Sequence, residues 1–121
     1  MTKTVLSVDD SKSIRDMIEF TLQPHGYRVI GACDGAEGLA RFQSERVNLV
    51  ITDLNMPRMN GIEFITALRR SPLGAGVPII MLTTETKPEL KEAGRAAGAT
   101  GWINKPFDGP MLVAVARKLA G

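Results

Sequence analysis

The sequence predicts an α/β protein, a (βα)5 doubly wound sheet of five parallel strands, and two observations carry that prediction. Five short apolar runs rich in β-branched residues recur along 121 residues, each followed by a turn signal and then by apolar residues at helical spacing. The runs are also too uniformly apolar to have a wet face, as in the strands of a parallel sheet covered by helices on both sides. Right-handed crossovers then give an open, doubly wound sheet.

The elements follow in order. Thr4 to Val8 is the first strand, ending at the pair Asp9 and Asp10. A helix begins near Ser11 with a stripe of Ile14, Met17, Ile18, Thr21 and Leu22, and Pro24 and Gly26 close it. Arg28 to Ala32 forms the second strand, and Cys33 at its end is expected to be a buried thiol. Asp34 caps the second helix with Glu37 three residues on, and Ala36, Leu39 and Ala40 are its expected buried face. Val47 to Thr52 is the third strand. Gly61 to Arg70 is the third helix, packing Ile62, Ile65 and Leu68 and stopped by Ser71 and Pro72. Val77 to Thr83 makes the fourth strand, and a helix with Pro88 in its first turn presents Leu90, Ala93, Gly94 and Ala97 before Gly98 stops it. Gly101 to Asn104 is the fifth strand, and the helix after Asp108 shows Leu112, Val115, Ala116 and Leu119 at i, i+3, i+4 and i+7.

The length suits one domain over residues 1–121, with no output domain expected. No apolar run approaches the ~18 residues a membrane span needs, and no signal peptide follows Met1, so a cytoplasmic monomer without membrane contact is the expectation. Cys33 is the sole cysteine, which leaves no internal disulfide and no cysteine-based metal site. A net charge of +2, with Arg69 and Arg70 as the longest basic run, is a poor footprint for nucleic acid. At 5% aromatics, a base-stacking surface is equally unexpected. A protein partner is expected instead.

Ligands of such sheets bind beyond the carboxyl ends of the strands. Asp9 and Asp10 follow the first strand, Asp53 the third and Lys105 the fifth, while Thr83 closes the fourth. Clustered carboxylates repel one another unless a cation neutralises them, and Mg²⁺, a hard ion that keeps water and takes phosphate oxygens, fits best. Asp53 can then act as a carboxylate nucleophile toward phosphorus, with Lys105 and the Thr83 hydroxyl holding the phosphoryl oxygens. Carboxylates ionise far below neutrality, so no general base is required. Each residue also has a plain reading: Asp9 and Asp10 as caps, Asp53 as a turn former, Thr83 as a strand end, Lys105 as a surface cation. Four strands supplying the right residue type at one edge favour the site.

The stretches Ser-Val-Asp9-Asp10-Ser, Thr-Asp53-Leu-Asn55-Met-Pro57-Arg-Met-Asn-Gly61, Met-Leu-Thr83-Thr-Glu85 and Asn-Lys105-Pro106-Phe resemble the motifs of response-regulator receiver domains, in order and at suitable spacing. The resemblance runs from Val5 to Leu119, and within the family it is strongest to the stand-alone chemotaxis regulators. It implies a flavodoxin-like sheet in the order 2-1-3-4-5 and a two-component switch in which a histidine kinase phosphorylates Asp53. Asp10, Asp53 and the Asn55 backbone carbonyl would ligate Mg²⁺, with Asp9 acting mainly through water. Thr83 and Lys105 would contact the phosphoryl group, the Lys105–Pro106 bond would be cis, and Asn55 and Glu85 would tune dephosphorylation toward a short-lived phosphoryl state. The chain would catalyse only its own phosphorylation and dephosphorylation, and so is not an enzyme in the ordinary sense.

The family couples its threonine to an aromatic residue on the fifth strand, usually tyrosine or phenylalanine, and here that residue is Trp102. Two readings stand: an indole that turns inward as Thr83 moves, or a fixed aromatic on a partner-binding face. Arg95, Trp102 and Lys118 are assigned to an output surface. A flagellar switch protein is the favoured target, a phosphatase a further partner, and a phosphate sink or relay intermediate the main rival.

Other features count for less. His25, the only histidine, lies in a Pro-His-Gly turn and reads as a loop residue. The Leu73 to Gly76 segment has no Gly-Lys-Ser/Thr after it and is no phosphate cradle. Met56 and Met59 read equally as partner contacts or as packing. An aspartyl-nucleophile phosphatase wants a second carboxylate two residues past the nucleophile, where this chain has Asn55. A flavin module would need its phosphate beside Asp9 and Asp10, which repel it.

Overall fold

The computed structural model describes residues 2–121. Its elements alternate along the chain: β1 (Lys3–Val8), α1 (Lys12–Leu22), β2 (Tyr27–Ala32), α2 (Gly35–Ser44), β3 (Leu49–Thr52), α3 (Gly61–Arg70), β4 (Ile79–Thr83), α4 (Pro88–Ala97), β5 (Gly101–Asn104) and α5 (Gly109–Ala120). The strands form one parallel sheet in the order β2-β1-β3-β4-β5, as the fold reading requires. Among the described residues no helix is long and apolar enough to cross a membrane.

Alternate strand residues feed two cores. On one face Val5, Leu49, Ile51 and Leu82 meet Ile18 and Leu22 of α1 and Leu112 and Ala116 of α5. On the other, Leu6, Val8, Val50 and Met81 meet Phe42 of α2 and Phe64, Ile65 and Leu68 of α3, with Leu90 and Ala97 of α4 at the margin. Burial on both faces explains why these strands lack polar alternation.

The strands differ from the sequence reading at their starts. β3 begins at Leu49 rather than Val47, because Asn48 ties back to β1: its Oδ1 accepts from the Thr4 amide and its own amide donates to the Thr4 carbonyl. β4 begins at Ile79 rather than Val77, since Pro78 has no N–H to give a ladder and offers only its carbonyl, to Val50. β1 and β2 each start one residue earlier than expected, at Lys3 and Tyr27.

Three burial expectations are corrected. α2 buries Gly35, Gly38 and Phe42, while Ala36 and Ala40 are exposed and Leu39 is half-buried. The cause is close approach: a Cβ on Gly38 would lie 3.0 Å from the Phe64 ring, so the glycine side faces the core. Met17 of α1 is 49% exposed, which leaves Ile18 and Leu22 as the buried stripe. Cys33 is half-buried, because β2 ends at Ala32 and the chain turns into α2 there.

Candidate functional site

The backbone ladder continues one residue past the strand ends. The Asp9 amide donates to Ala32, that of Asp53 to Val8, and that of Lys105 to Thr83. Neighbouring strands therefore hold all three side chains at one edge. The Lys105–Pro106 peptide bond is cis, as the motif implied.

Asp9, Asp53 and Thr83 are buried, Lys105 is nearly so, and Asp10 is exposed. The Lys105 ammonium donates to Oδ2 of Asp9 at 2.7 Å and to Oδ2 of Asp53 at 3.2 Å. The other oxygens accept backbone amides: Asp9 Oδ1 from Ser11 at 2.9 Å, and Asp53 Oδ1 from Leu54 at 2.7 Å. The Arg15 guanidinium donates to the Asp9 carbonyl. Thr83 Oγ1 accepts from the Glu85 amide at 3.2 Å.

Burial pushes the Asp9 carboxyl above its ordinary pKa, and the hydrogen bonds from Lys105 and Ser11 offset only part of that. For Lys105 burial acts downward, but the hydrogen bond to Asp9 and the charges of Asp53 and Asp9 outweigh it and leave the ammonium raised. The Asp9 shift means that ionising this carboxyl carries a cost which Lys105 does not fully cover, while the Lys105 shift means that the two carboxylates hold the ammonium in its charged form.

Asp9, Asp10 and Asp53 each place a carboxylate oxygen within 4.8 Å of the others. Three carboxylates against one ammonium leave two negative charges in excess. Asp10 makes no ion pair among the described residues. An all-oxygen donor set with that deficit fits a hard divalent ion such as Mg²⁺. Asn55 lies exposed on the loop after β3, beside this cluster in sequence.

Of the residues assigned to output, Arg95 and Trp102 line one cavity of 310 Å³ with Lys91, Ala99, Thr100 and Gly101, and the exposed Lys118 of α5 is not in its lining. The Trp102 ring is half-buried against α4, with the Lys91 ammonium 5.6 Å from its centroid. Its Nε1 is buried and has no hydrogen-bond partner among the described residues. Glu85 Oε2 accepts from the amides of Thr86 and Lys87 and so holds the turn that leads into α4. Asn104 Nδ2 donates to the Glu85 carbonyl at 3.2 Å, tying that loop to β5. Met59 packs on Gly35, which favours the packing reading for it.

Sequence reasoning missed the Arg58 guanidinium, which clasps the buried Asp34 carboxylate from the loop after β3. The two residues are 24 positions apart, and no periodicity marks such a pair. Lys91, on the exposed side of α4, was missed for the same reason.

The model of the response regulator receiver domain family matches residues 5–117. Among solved structures, chemotaxis response regulator CheY4 of Vibrio cholerae is 48% identical at TM-score 0.92, covering 98% of this chain and 99% of that one. A putative response regulator from Chloroflexus aurantiacus is 32% identical at TM-score 0.93, covering 99% and 98%. The curated relative PhoP of Bacillus subtilis, an alkaline phosphatase synthesis transcriptional regulatory protein, is 37% identical over 107 residues, 88% of this chain and 44% of its own length. The chain spans about half the length of the curated relatives it matches.

Proposed function

We propose, since this chain belongs to the response regulator receiver domain family, that it is a signalling switch whose Asp53 accepts a phosphoryl group from the phosphohistidine of a histidine kinase. The observation that carries this reading is the convergence of Asp9, Asp10, Asp53 and Lys105 at one sheet edge, with a charge deficit matched to a divalent cation. Asp10, Asp53 and the Asn55 carbonyl would hold Mg²⁺, with Asp9 behind them through water. The ion, when bound, supplies the positive charge that lets a carboxylate approach a phosphoryl group.

The residues do the rest by position. A carboxylate oxygen of Asp53 forms the new O–P bond as the N–P bond of the donor breaks and the electron pair leaves with the imidazole. Lys105 and the Thr83 hydroxyl receive the phosphoryl oxygens. A Thr83 hydroxyl drawn toward phosphate releases the Glu85 amide, and with it the loop leading to α4 and Trp102.

For the output, the likeness to CheY4 over nearly the whole chain supports chemotaxis, with a flagellar switch protein docking on the surface of Arg95, Trp102 and Lys118. A second reading, a receiver segment regulating transcription, is favoured by the names of the curated relatives, at lower identity. Labelling with a small acyl phosphate donor and Mg²⁺ tests the acceptor. The wild type should take up an acid-stable, hydroxylamine-labile phosphoryl group and Asp53→Asn should not; the same label on the variant would overturn the assignment. A phosphoryl mimic should then increase retention of a flagellar switch protein, which a phosphate sink would not show.

A further inference from the structure

Arg58 sits in the loop between β3 and α3 at φ 65°, the left-handed region that non-glycine residues avoid; among the described residues it is the only non-glycine there. Such an outlier persists only where neighbouring contacts over-determine it. Two contacts do so here. The Arg58 fork donates to Asp34 Oδ2, through Nε at 2.8 Å and through Nη2. The side chain of Met59 packs so closely on Gly35 that a Cβ there would lie 2.7 Å from Met59 Cγ.

The rest of the loop has few fixed points. Asp53 Oδ1 accepts the Leu54 amide, and the Leu54 carbonyl accepts the Gly61 amide at 2.8 Å. Asn60 is tied to the start of α3 by the Phe64 amide and Glu63 Oε1, but over residues 55–58 the only backbone hydrogen bond among the described residues is the short turn from the Met59 amide to the Pro57 carbonyl. Pro57 has no N–H, and no hydrogen bond to the Asn55 carbonyl occurs among the described residues. The path of residues 55–58 is therefore set from outside, by the start of α2.

Asp34 is suited to act as that anchor. It is buried, and its Oδ1 caps α2 by accepting from the Glu37 amide at 2.9 Å, which leaves Oδ2 for Arg58. We infer that Arg58 is a positioning residue: its clasp on Asp34 holds the loop so that the Asn55 carbonyl faces the acidic cluster, and it thereby sets the affinity for Mg²⁺. This rests on the reading of that cluster and carbonyl as a magnesium site.

Charge and position predict opposite signs for one variant. Arg58→Gly removes a cation and leaves the Asp34 carboxylate unpaired on the same sheet edge, so a purely Coulombic role predicts tighter Mg²⁺ binding. Loss of positioning predicts weaker binding, by roughly tenfold, as for other outer partners of metal ligands. Glycine also suits φ 65°, and the relaxed backbone offsets part of the cost of the unpaired Asp34 carboxylate, which keeps the Glu37 amide, so the variant should stay folded with a lower melting temperature. Arg58→Lys keeps the charge without the planar fork and should also weaken binding.

The test is calorimetric titration of wild type, Arg58→Gly and Arg58→Lys with Mg²⁺, beside thermal unfolding of each without the metal. Weaker binding by both variants, each folded and melting cooperatively above the temperature of the titration, supports the inference. Equal or tighter binding by Arg58→Gly overturns it. A wild type that binds no Mg²⁺ overturns the reading beneath it as well, and is told apart because the failure then appears before any substitution.

Discussion

The Lys105 ammonium lies 2.7 Å from Oδ2 of Asp9, a contact across 96 residues that joins the ends of β1 and β5. Asp53 is the more distant partner, at 3.2 Å. Lys105 thus acts as a resident counter-ion for two of the three carboxylates, and under the proposed function it would hold a phosphoryl oxygen as well.

Removing it should therefore separate metal binding from phosphoryl transfer. At an effective dielectric of about 20, a unit charge 4 Å away is worth ~4 kcal/mol. Solvent and rearrangement reduce this, so Lys105→Ala should bind Mg²⁺ on the order of tenfold more tightly, about 1.4 kcal/mol, while labelling of Asp53 slows sharply. Calorimetry and phosphodonor labelling measure the two; unchanged Mg²⁺ affinity would show that the ammonium does not compensate the same charges.

Asp9 gives a pH dependence whose sign follows from burial. Its folded pKa is raised, so ionised Asp9 opposes folding at neutral pH, and that penalty is relieved as pH falls through the raised value toward the ordinary carboxylate value. Asp34 is lowered, first by the Glu37 amide and then by Arg58, so its contribution is lost only further into acid, as pH falls through its folded pKa. Stability of the metal-free protein should rise on mild acidification and then drop. Asp9→Asn should melt higher than the wild type in chelator at neutral pH and lose the rising limb. Added Mg²⁺ should stabilise the wild type more than the variant, and equal stabilisation would remove Asp9 from the site.

The alternation of elements, the sheet class and the convergence of Asp9, Asp10, Asp53 and Lys105 were legible in the sequence, because each depends on chain order: strands end where their apolar runs end. Strand starts were less legible, since Asn48 and Pro78 decide them through individual hydrogen bonds. The face of α2 was misread because Gly35 and Gly38 are its contact residues, and glycine carries no hydrophobic mark. The Arg58–Asp34 clasp and the Asn104–Glu85 tie join loops that only the folded sheet brings together.

The Thr83 hydroxyl is fully buried and holds the Glu85 amide. Thr83→Ala leaves that amide unpaired, at about 1–2 kcal/mol in denaturant unfolding. It should also uncouple the two ends of the switch: Asp53 still takes label, but Trp102 emission no longer follows it. Thr83→Ser should keep the coupling. A full emission change in Thr83→Ala on labelling would send the signal by another route.

Trp102 reports the seat of α4 because Gly94 gives it room. A Cβ on Gly94 would lie 2.8 Å from Met81 Sδ and 3.4 Å from Trp102 Cζ3, with Met81 fully buried beneath. Alanine gains about 1 kcal/mol in helix propensity over glycine, but overpacking at a buried thioether costs ~1–3 kcal/mol, so Gly94→Ala should be neutral to destabilising. Its indole should be pushed outward and its emission shifted to the red, as the buried Nε1 meets water. Met81→Val removes the thioether and costs stability alone through the gap it leaves. In the double variant the new Cβ occupies part of that gap, so the two losses should fail to add, by 0.5 kcal/mol or more, and the emission should return toward that of the wild type. Strict additivity, with the red shift retained, would mean that Gly94 does not set the seat of Trp102 through Met81, and that the indole is held by Lys91 and the 310 Å³ cavity instead.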